Sequence, residues 1–230
     1  MNNDVKNNMR AGQGKTLVLL ASIIIAVVVI ADQWLKIWIK THFYFGEDME
    51  IFSWFHLKFI ENNGFAFGLE WFNKYVLTFG RIAAVILFIW ALRKIVKELP
   101  GIGKGFLISF ALIIAGAAGN IFDCVFYGEI FNNPYPPEVA QIFPVGGGYA
   151  GWFEGRVVDM LYFPLFSFHI PDSLPLIGGR DYEFFQYIFN IADAAITVGV
   201  VMILIFYRNQ ASEALNLLFG TSDSQSETEK

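Results

Sequence analysis

Cysteine occurs once in 230 residues, as Cys124 inside an apolar run. A single thiol forms no internal disulfide and no CxxC-type metal cluster. Histidine is nearly as scarce. His42, His56 and His169 are scattered and share no ligand spacing, so nothing points to a metal site. Basic residues are few and unclustered, 16 Lys and Arg against 21 Asp and Glu, which excludes a nucleic-acid partner. Charge of either sign is sparse, at 16% of the chain. The terminal stretch TSDSQSETEK lacks any apolar residue to bury, and a disordered tail is expected over about 212–230.

Apolar residues fill the space that charge leaves. They make up 55% of the chain, Phe alone occurs 25 times, and the mean hydropathy is +0.48. That is a membrane-protein composition. A helix needs about 20 apolar residues to cross a bilayer. Four windows qualify, at 16–39, 75–95, 105–128 and 184–207. Basic residues precede the first window, as in a signal peptide, but no small-x-small cleavage site follows, so it reads as a retained span. Lys6, Arg10 and Lys15, then Arg93, Lys94, Lys97 and Lys104, then Arg208 fall on one side of the four spans. That side is cytoplasmic by the positive-inside rule, which puts both termini inside and the connections 40–74 and 129–183 outside. The fold class expected is a mainly α membrane protein, one domain of four transmembrane helices with a small β-rich extracytoplasmic cradle. The strand signal is IFSWFHLKFI at 51–60, where Phe55, Leu57 and Phe59 alternate with Trp54, His56 and Lys58. Gly64 and Gly68 of the following ENNGFAFG suit a turn or a close backbone approach, and the Pro/Gly-rich 132–152 reads as an inserted loop.

Several polar residues lie where lipid is expected. Asp32 and Lys36 share a helix face at the end of the first span, an interfacial ion pair or a functional one. In the third span Gly116, Asn120, Asp123 and Tyr127 form one stripe, with small neighbours that admit another helix. In the fourth, Asn190, Asp193 and Thr197 repeat the Asn-x-x-Asp spacing, and GRVVDM adds Asp159 within an apolar outer segment. A mid-span Asp costs about 2.5–3.5 kcal/mol to insert, so helix packing alone explains these acids poorly. Two close carboxylates share one proton, which suits an acid–base pair acting on water and a carbonyl. It equally suits a proton-coupled carrier. From spacing alone, hydrolase, carrier and structural protein stay open. All four acids map near the outer boundary, which favours surface chemistry over transport.

Taken together the motifs resemble lipoprotein signal peptidase, or signal peptidase II, a bacterial four-span aspartic protease family. The motifs, in order, are DQWLK at 32–36, NNGFAFG at 62–68, GAAGNIFDC at 116–124, VVDM at 157–160 and FNIAD at 189–193. The resemblance implies Asp159 and Asp193 as the catalytic pair. It implies supporting places for Asn62, Gly64, Asn120, Asp123, Asn190, Asp32 and Lys36. It also implies a diacylglyceryl-modified prolipoprotein as substrate, cut just before the lipidated cysteine, in the bacterial inner membrane with the site near the outer face. No metal or organic cofactor is implied, membrane lipid is the other partner, and a monomer is expected. Two departures stand out. Cys124 replaces the arginine that usually follows the third-span Asp, and the stretch from Asp123 to Asp159 is longer than usual. Arg156, three residues before Asp159, is the candidate for the missing charge.

Overall fold

A computed structural model describes residues 3–63, 74–99, 101–173, 175 and 178–220. Gly64 and the rest of the glycine turn, and the end of the tail at 221–230, lie outside the described residues. Three long helices come first: α1 (Asn3–His42), α2 (Lys74–Glu98) and α3 (Lys104–Ile130). Each contains a stretch long and apolar enough to cross a membrane. Ile23, Val27, Ile30, Val76, Ile86 and Leu204 are exposed, as lipid-facing residues must be.

The fourth span differs from the expected 184–207. Helix α4 (Ile191–Phe206) begins seven residues later, because the aromatic stretch before it pairs as strand and Asn190 caps the helix. Its 16 residues rise only ~24 Å. It then bends by 99° into α5 (Arg208–Phe219), and the two together make the fourth candidate span. Helix α5 also occupies part of the segment 212–230 expected to be disordered. Ala211, Ala214, Leu217 and Leu218 recur at helical spacing and pack against the core.

The strands are β1 (Asp48–Phe52), β2 (Phe55–Asn62), β3 (Val157–Tyr162), β4 (Phe166–His169), β5 (Asp181–Phe184) and β6 (Ile188–Phe189). The expected strand at 51–60 is a hairpin instead, with β1 and β2 joined through a turn at 53–54. A four-stranded antiparallel sheet runs β1-β2-β3-β6, and β4 pairs with β5 separately. The loop at 132–152 has no regular structure beyond an isolated bridge from Phe131 to Ile142.

After this loop the chain returns along the end of α3. Tyr149, Ala150, Phe153 and Gly155 donate their backbone N–H groups to the carbonyls of Phe131, Gly128, Val125 and Cys124, at 2.9–3.1 Å. The carbonyls of Gly128, in the last turn, and of the C-cap residue Phe131 are ones that a helix terminus leaves without intrahelical partners. Gly155 is required there, since a Cβ would stand 2.0 Å from the Asp123 carbonyl oxygen. The return path delivers β3 to the polar stripe of α3. The stripe itself meets α4 closely, because a Cβ on Gly116 would lie 2.1 Å from the Ala192 carbonyl oxygen.

Candidate active site

Asp159 lies on β3 opposite Ile60, and Asn62 lies opposite Val157. Side chains two apart share a face, so Asn62 is the diagonal neighbour of Asp159. The Asn62 amide donates to Asp159 Oδ2. Asn190 Nδ2 donates to the other oxygen, Oδ1, at 2.6 Å. Asp159 is 2% exposed. Burial, and then the charge of Asp193, push its pKa up to about 7 from an ordinary 3.8. The nearby Lys36 ammonium and the two amide donors oppose that rise.

Asp193 is placed by a capping box. Its backbone N–H donates to Asn190 Oδ1 at 2.9 Å, and its Oδ2 accepts from the Asn190 N–H at 3.4 Å. Its Oδ1 accepts from Asn120 Nδ2 at 2.8 Å. Asn120 is the hinge of the arrangement, since its Oδ1 accepts from Lys36 Nζ at 2.8 Å and from Asn190 Nδ2 at 3.2 Å. An ammonium only donates, so the Asn120 oxygen faces Lys36 and its nitrogen faces Asp193. Each carboxylate is thus held by an asparagine, and the two asparagines are bonded to each other.

Behind this pair is a buried ionic layer. Lys36 Nζ lies 2.9 Å from Asp32 Oδ2 and 2.8 Å from Asp123 Oδ2. Asp32 Oδ1 accepts from the Ala192 N–H at 2.9 Å, which satisfies one open donor at the start of α4. Asp123 Oδ2 accepts from the Val158 N–H at 3.2 Å. Gln33 Nε2 donates to Asp123 Oδ1 at 2.8 Å, and Tyr127 Oη donates to Gln33 Oε1 at 3.0 Å. Asp32 and Asp123 therefore join α1, α3, α4 and β3, whereas Asp159 and Asp193 are held by the Asn pair. The ion pair at the end of α1 is internal, not an anchor at a lipid surface. The four acids form one cluster at the sheet end of the bundle and do not line a path across it.

Residues 24–208 match the family model described as Signal peptidase (SPase) II. The chain belongs to the signal peptidase II family. It is 40% identical over 225 residues to the lipoprotein signal peptidase of Porphyromonas gingivalis, covering 96% of this chain and 97% of that protein. It is 35% identical over 211 residues to that of Amoebophilus asiaticus, covering 87% and 83%. A solved structure described as a bacterial membrane enzyme, determined by the in meso method at 1.9 Å, superposes with a TM-score of 0.54 at 25% identity. The match covers 81% of this chain and 90% of that one. This chain is accordingly a signal peptidase II family member built as a multi-pass membrane protein.

The structure brings Asn62, Asn120, Asp123, Asn190, Asp32, Lys36, Asp159 and Asp193 into one network. Arg156 stands apart from it. Its guanidinium pairs with Glu61 Oε2 at 3.2 Å and lies 5.0 Å from the centre of the Tyr149 ring. Glu61 also binds Lys40, a buried cation set among the rings of Phe59, Phe131 and Tyr149. Three residues carry no role in the sequence reading: Gln33 in the network, and Lys40 and Glu61 beside Arg156. A signal was available for two of them. Gln33 adjoins Asp32, and Lys40 continues the four-residue spacing of Asp32 and Lys36 along α1.

Proposed function

We propose that the chain is an aspartic endopeptidase that removes signal peptides from diacylglyceryl-modified prolipoproteins, with Asp159 and Asp193 as its catalytic pair. The observation that carries this reading is the linked pair of asparagines, each holding one carboxylate, with Asp159 raised to about 7. In this mechanism Asp159, the more buried acid, holds the shared proton and donates it to the oxygen of the scissile carbonyl. Asp193 takes a proton from water, and the water oxygen attacks the carbonyl carbon. Proton transfer to the leaving nitrogen then breaks the C–N bond. Asn120 and Asn190 keep the two acids in register throughout, so that no side chain has to reorganise at the reacting bond.

The sheet extends the reading to the substrate. An extended segment before the lipidated cysteine suits the strand-built surface beside Asp159, and acyl chains suit the apolar surface between helices. Each buried methylene adds ~0.8 kcal/mol to binding, so unlipidated soluble peptides are poor substrates. The distribution of basic segments supports a topology with both termini in the cytoplasm and the site near the outer face of the bacterial inner membrane.

The test is cleavage of a diacylglyceryl-modified lipobox peptide by the wild type, Asp159→Asn and Asp193→Asn. The wild type is expected to cut before the lipidated cysteine, and each folded variant to be inactive. Cleavage by both variants at the wild-type rate would sink the dyad. Failure of the wild type on this substrate would sink the substrate assignment.

A further inference from the structure

Helix α5 crosses the end of the bundle opposite the sheet. Gln210, in its first turn, lies against Gly103 at the start of α3, where a Cβ would meet the Gln210 amide nitrogen at 3.0 Å. Seven residues on, the Leu217 carbonyl accepts from Lys94 Nζ of α2 at 3.1 Å. Seven residues of helix rise ~10 Å, about one interhelical spacing. The 99° bend after α4 thus lays α5 as a bridge from α3 to α2. The bridge does not close on them. An apolar cavity of about 260 Å³ remains between Leu87 and Trp90 of α2, Phe110 of α3 and Ala211, Leu215 and Phe219 of α5. Trp90, Leu215 and Phe219 are exposed, so the cavity has an open mouth.

The mouth is cationic. Leu87, Trp90, Lys94 and Lys97 recur at three and four residues and share one face of α2. The first two line the cavity, Lys94 Nζ stands 5.4 Å from the centre of the Trp90 ring, and Lys97 is exposed beyond it. An ammonium has three donors, so the bond to Leu217 leaves Lys94 able to meet an anion. Arg93, Lys94, Lys97, Lys104 and Arg208 stand at this end against Glu98 and Glu213. An apolar cavity under a basic rim, at the end of membrane-crossing helices, matches an acyl chain joined to an anionic headgroup. Two other occupants fit less well. The segment TSDSQSETEK at 221–230 has no apolar side chain to place there. The acyl chains of a substrate at the acid pair belong to the far end, since Phe106 beside the cavity precedes Asp123 by 17 residues of α3, ~26 Å along the axis.

We propose that the cavity between α2 and α5 is a binding site for one anionic phospholipid of the cytoplasmic leaflet. An acyl chain fills the cavity, and the phosphodiester sits at Lys94 and Lys97. The site goes beyond the peptidase reading and requires none of its chemistry.

Native mass spectrometry of the purified full chain tests this, after release from vesicles of equal parts phosphatidylethanolamine and phosphatidylglycerol. Thermal unfolding of each variant in detergent serves as the check on folding. The wild type is expected to retain one phospholipid, with phosphatidylglycerol favoured about fivefold or more, the scale of one lysine beside an anionic surface. Ala211→Phe puts a ring into the cavity and is expected to lower the retained lipid about tenfold or more, the loss when two or more methylenes are kept out. Lys94→Gln combined with Lys97→Gln is expected to keep a lipid and bring the preference to within about twofold of parity. A wild type that retains no more lipid than a folded Ala211→Phe overturns the site. If Ala211→Phe does not fold, Leu215→Trp at the mouth decides, and wild-type retention in that variant overturns the proposal. Equal retention of the two phospholipids by the wild type overturns the headgroup assignment and the proposal with it. A lipid-free dimer that Ala211→Phe dissociates also overturns it, because a second copy then covers the cavity. None of these outcomes depends on peptide cleavage, so the peptidase reading stands or falls separately.

Discussion

At the sheet end of the bundle the buried residues include Asp32, Gln33, Lys36, Asp123, Asp159 and Asn190. At the opposite end they are Leu92, Ile95, Ile102, Phe106, Leu107 and Ile114, with Ala214 of α5 laid against them. Both ends are built largely from the same helices. Apolar contacts tolerate exchange, because any side chain of similar volume fills the space. The polar end does not tolerate it, because each donor there answers one acceptor and a removed partner leaves a buried group unsatisfied. The chain thus combines a replaceable half with an irreplaceable one. An apolar cavity of about 260 Å³ remains open in the former, between Phe88, Phe110, Leu215 and Leu218.

The sharpest way to break the comparison is chemical. Asp159→Asn keeps the shape and removes the acid; its oxygen still accepts from Asn190, and its new amide nitrogen faces the exposed Asn62, which can turn its own oxygen toward it. A loss of roughly 10²–10⁴ in kcat/KM is expected, the scale of a positioned acid or base, with little change in Tm. Next comes the ionic layer. Lys36→Met leaves Asp32 and Asp123 facing each other without a cation, and a loss of about 3–5 kcal/mol is expected from one broken buried pair. Thermal unfolding in detergent reads it, and Lys36→Met as stable as the wild type would show that the layer contributes nothing. Gly116→Val follows. Its Cβ would press on the Ala192 carbonyl and force α4 away from α3. A loss of about 1–3 kcal/mol is expected from overpacking, together with a fall in kcat/KM, because α4 carries Asn190 and Asp193.

The apolar end was the easier half to read from sequence. Windows 16–39, 75–95 and 105–128 lie within α1, α2 and α3, since length and hydropathy alone specify such helices. The fourth window failed at its start. The stretch from 184 to 190 is as apolar as a span, but Ile188 and Phe189 pair with Tyr162 and Leu161. Hydropathy does not distinguish a buried strand from a helix end. The cap decides it, and FNIAD contains that cap in Asn190. At the polar end the residue types were legible and their partners were not. Asp32 appeared as half of a local i,i+4 pair, yet its second oxygen accepts from Ala192, 160 residues away. The sign of the charge near Asp123 was sought in Arg156, the nearest in sequence. Lys36 is the cation that meets that carboxylate, and Arg81 reaches the adjacent thiol from α2. Proximity in sequence is a poor guide where the partner comes from another helix.

The pH dependence sharpens the comparison further. Asp159 binds its proton more tightly in the fold than in the unfolded chain, with a value raised from 3.8 to about 7. The stabilisation from this group is therefore fully present below pH ~4 and lost as pH rises through ~7. Activity that depends on the retained proton should fall over the same upper limb. Between pH 6 and pH 8 the protonated fraction drops by about tenfold for a single site centred at 7. A kcat/KM profile on the lipidated peptide tests this, and a profile flat to pH 9 would remove the proton from Asp159.

The smallest effect on catalysis is expected at the apolar end, and it closes the comparison from the other side. Leu107 is 2% exposed among Leu92, Ile114 and their neighbours. In water, Leu→Ala loses both the transfer of the side chain and the contacts around the space it leaves. In a bilayer the first loss largely vanishes, since lipid tails hold a leucine as well as the protein does. What remains is the cavity, so Leu107→Ala should cost about 2 kcal/mol, the low end of the usual range. Its kcat/KM should stay at the wild-type value, because among the described residues no hydrogen bond of the site runs through this half. A Leu107→Ala enzyme with unchanged Tm but impaired cleavage would mean the two ends are coupled through α3, and the division drawn between them would fail.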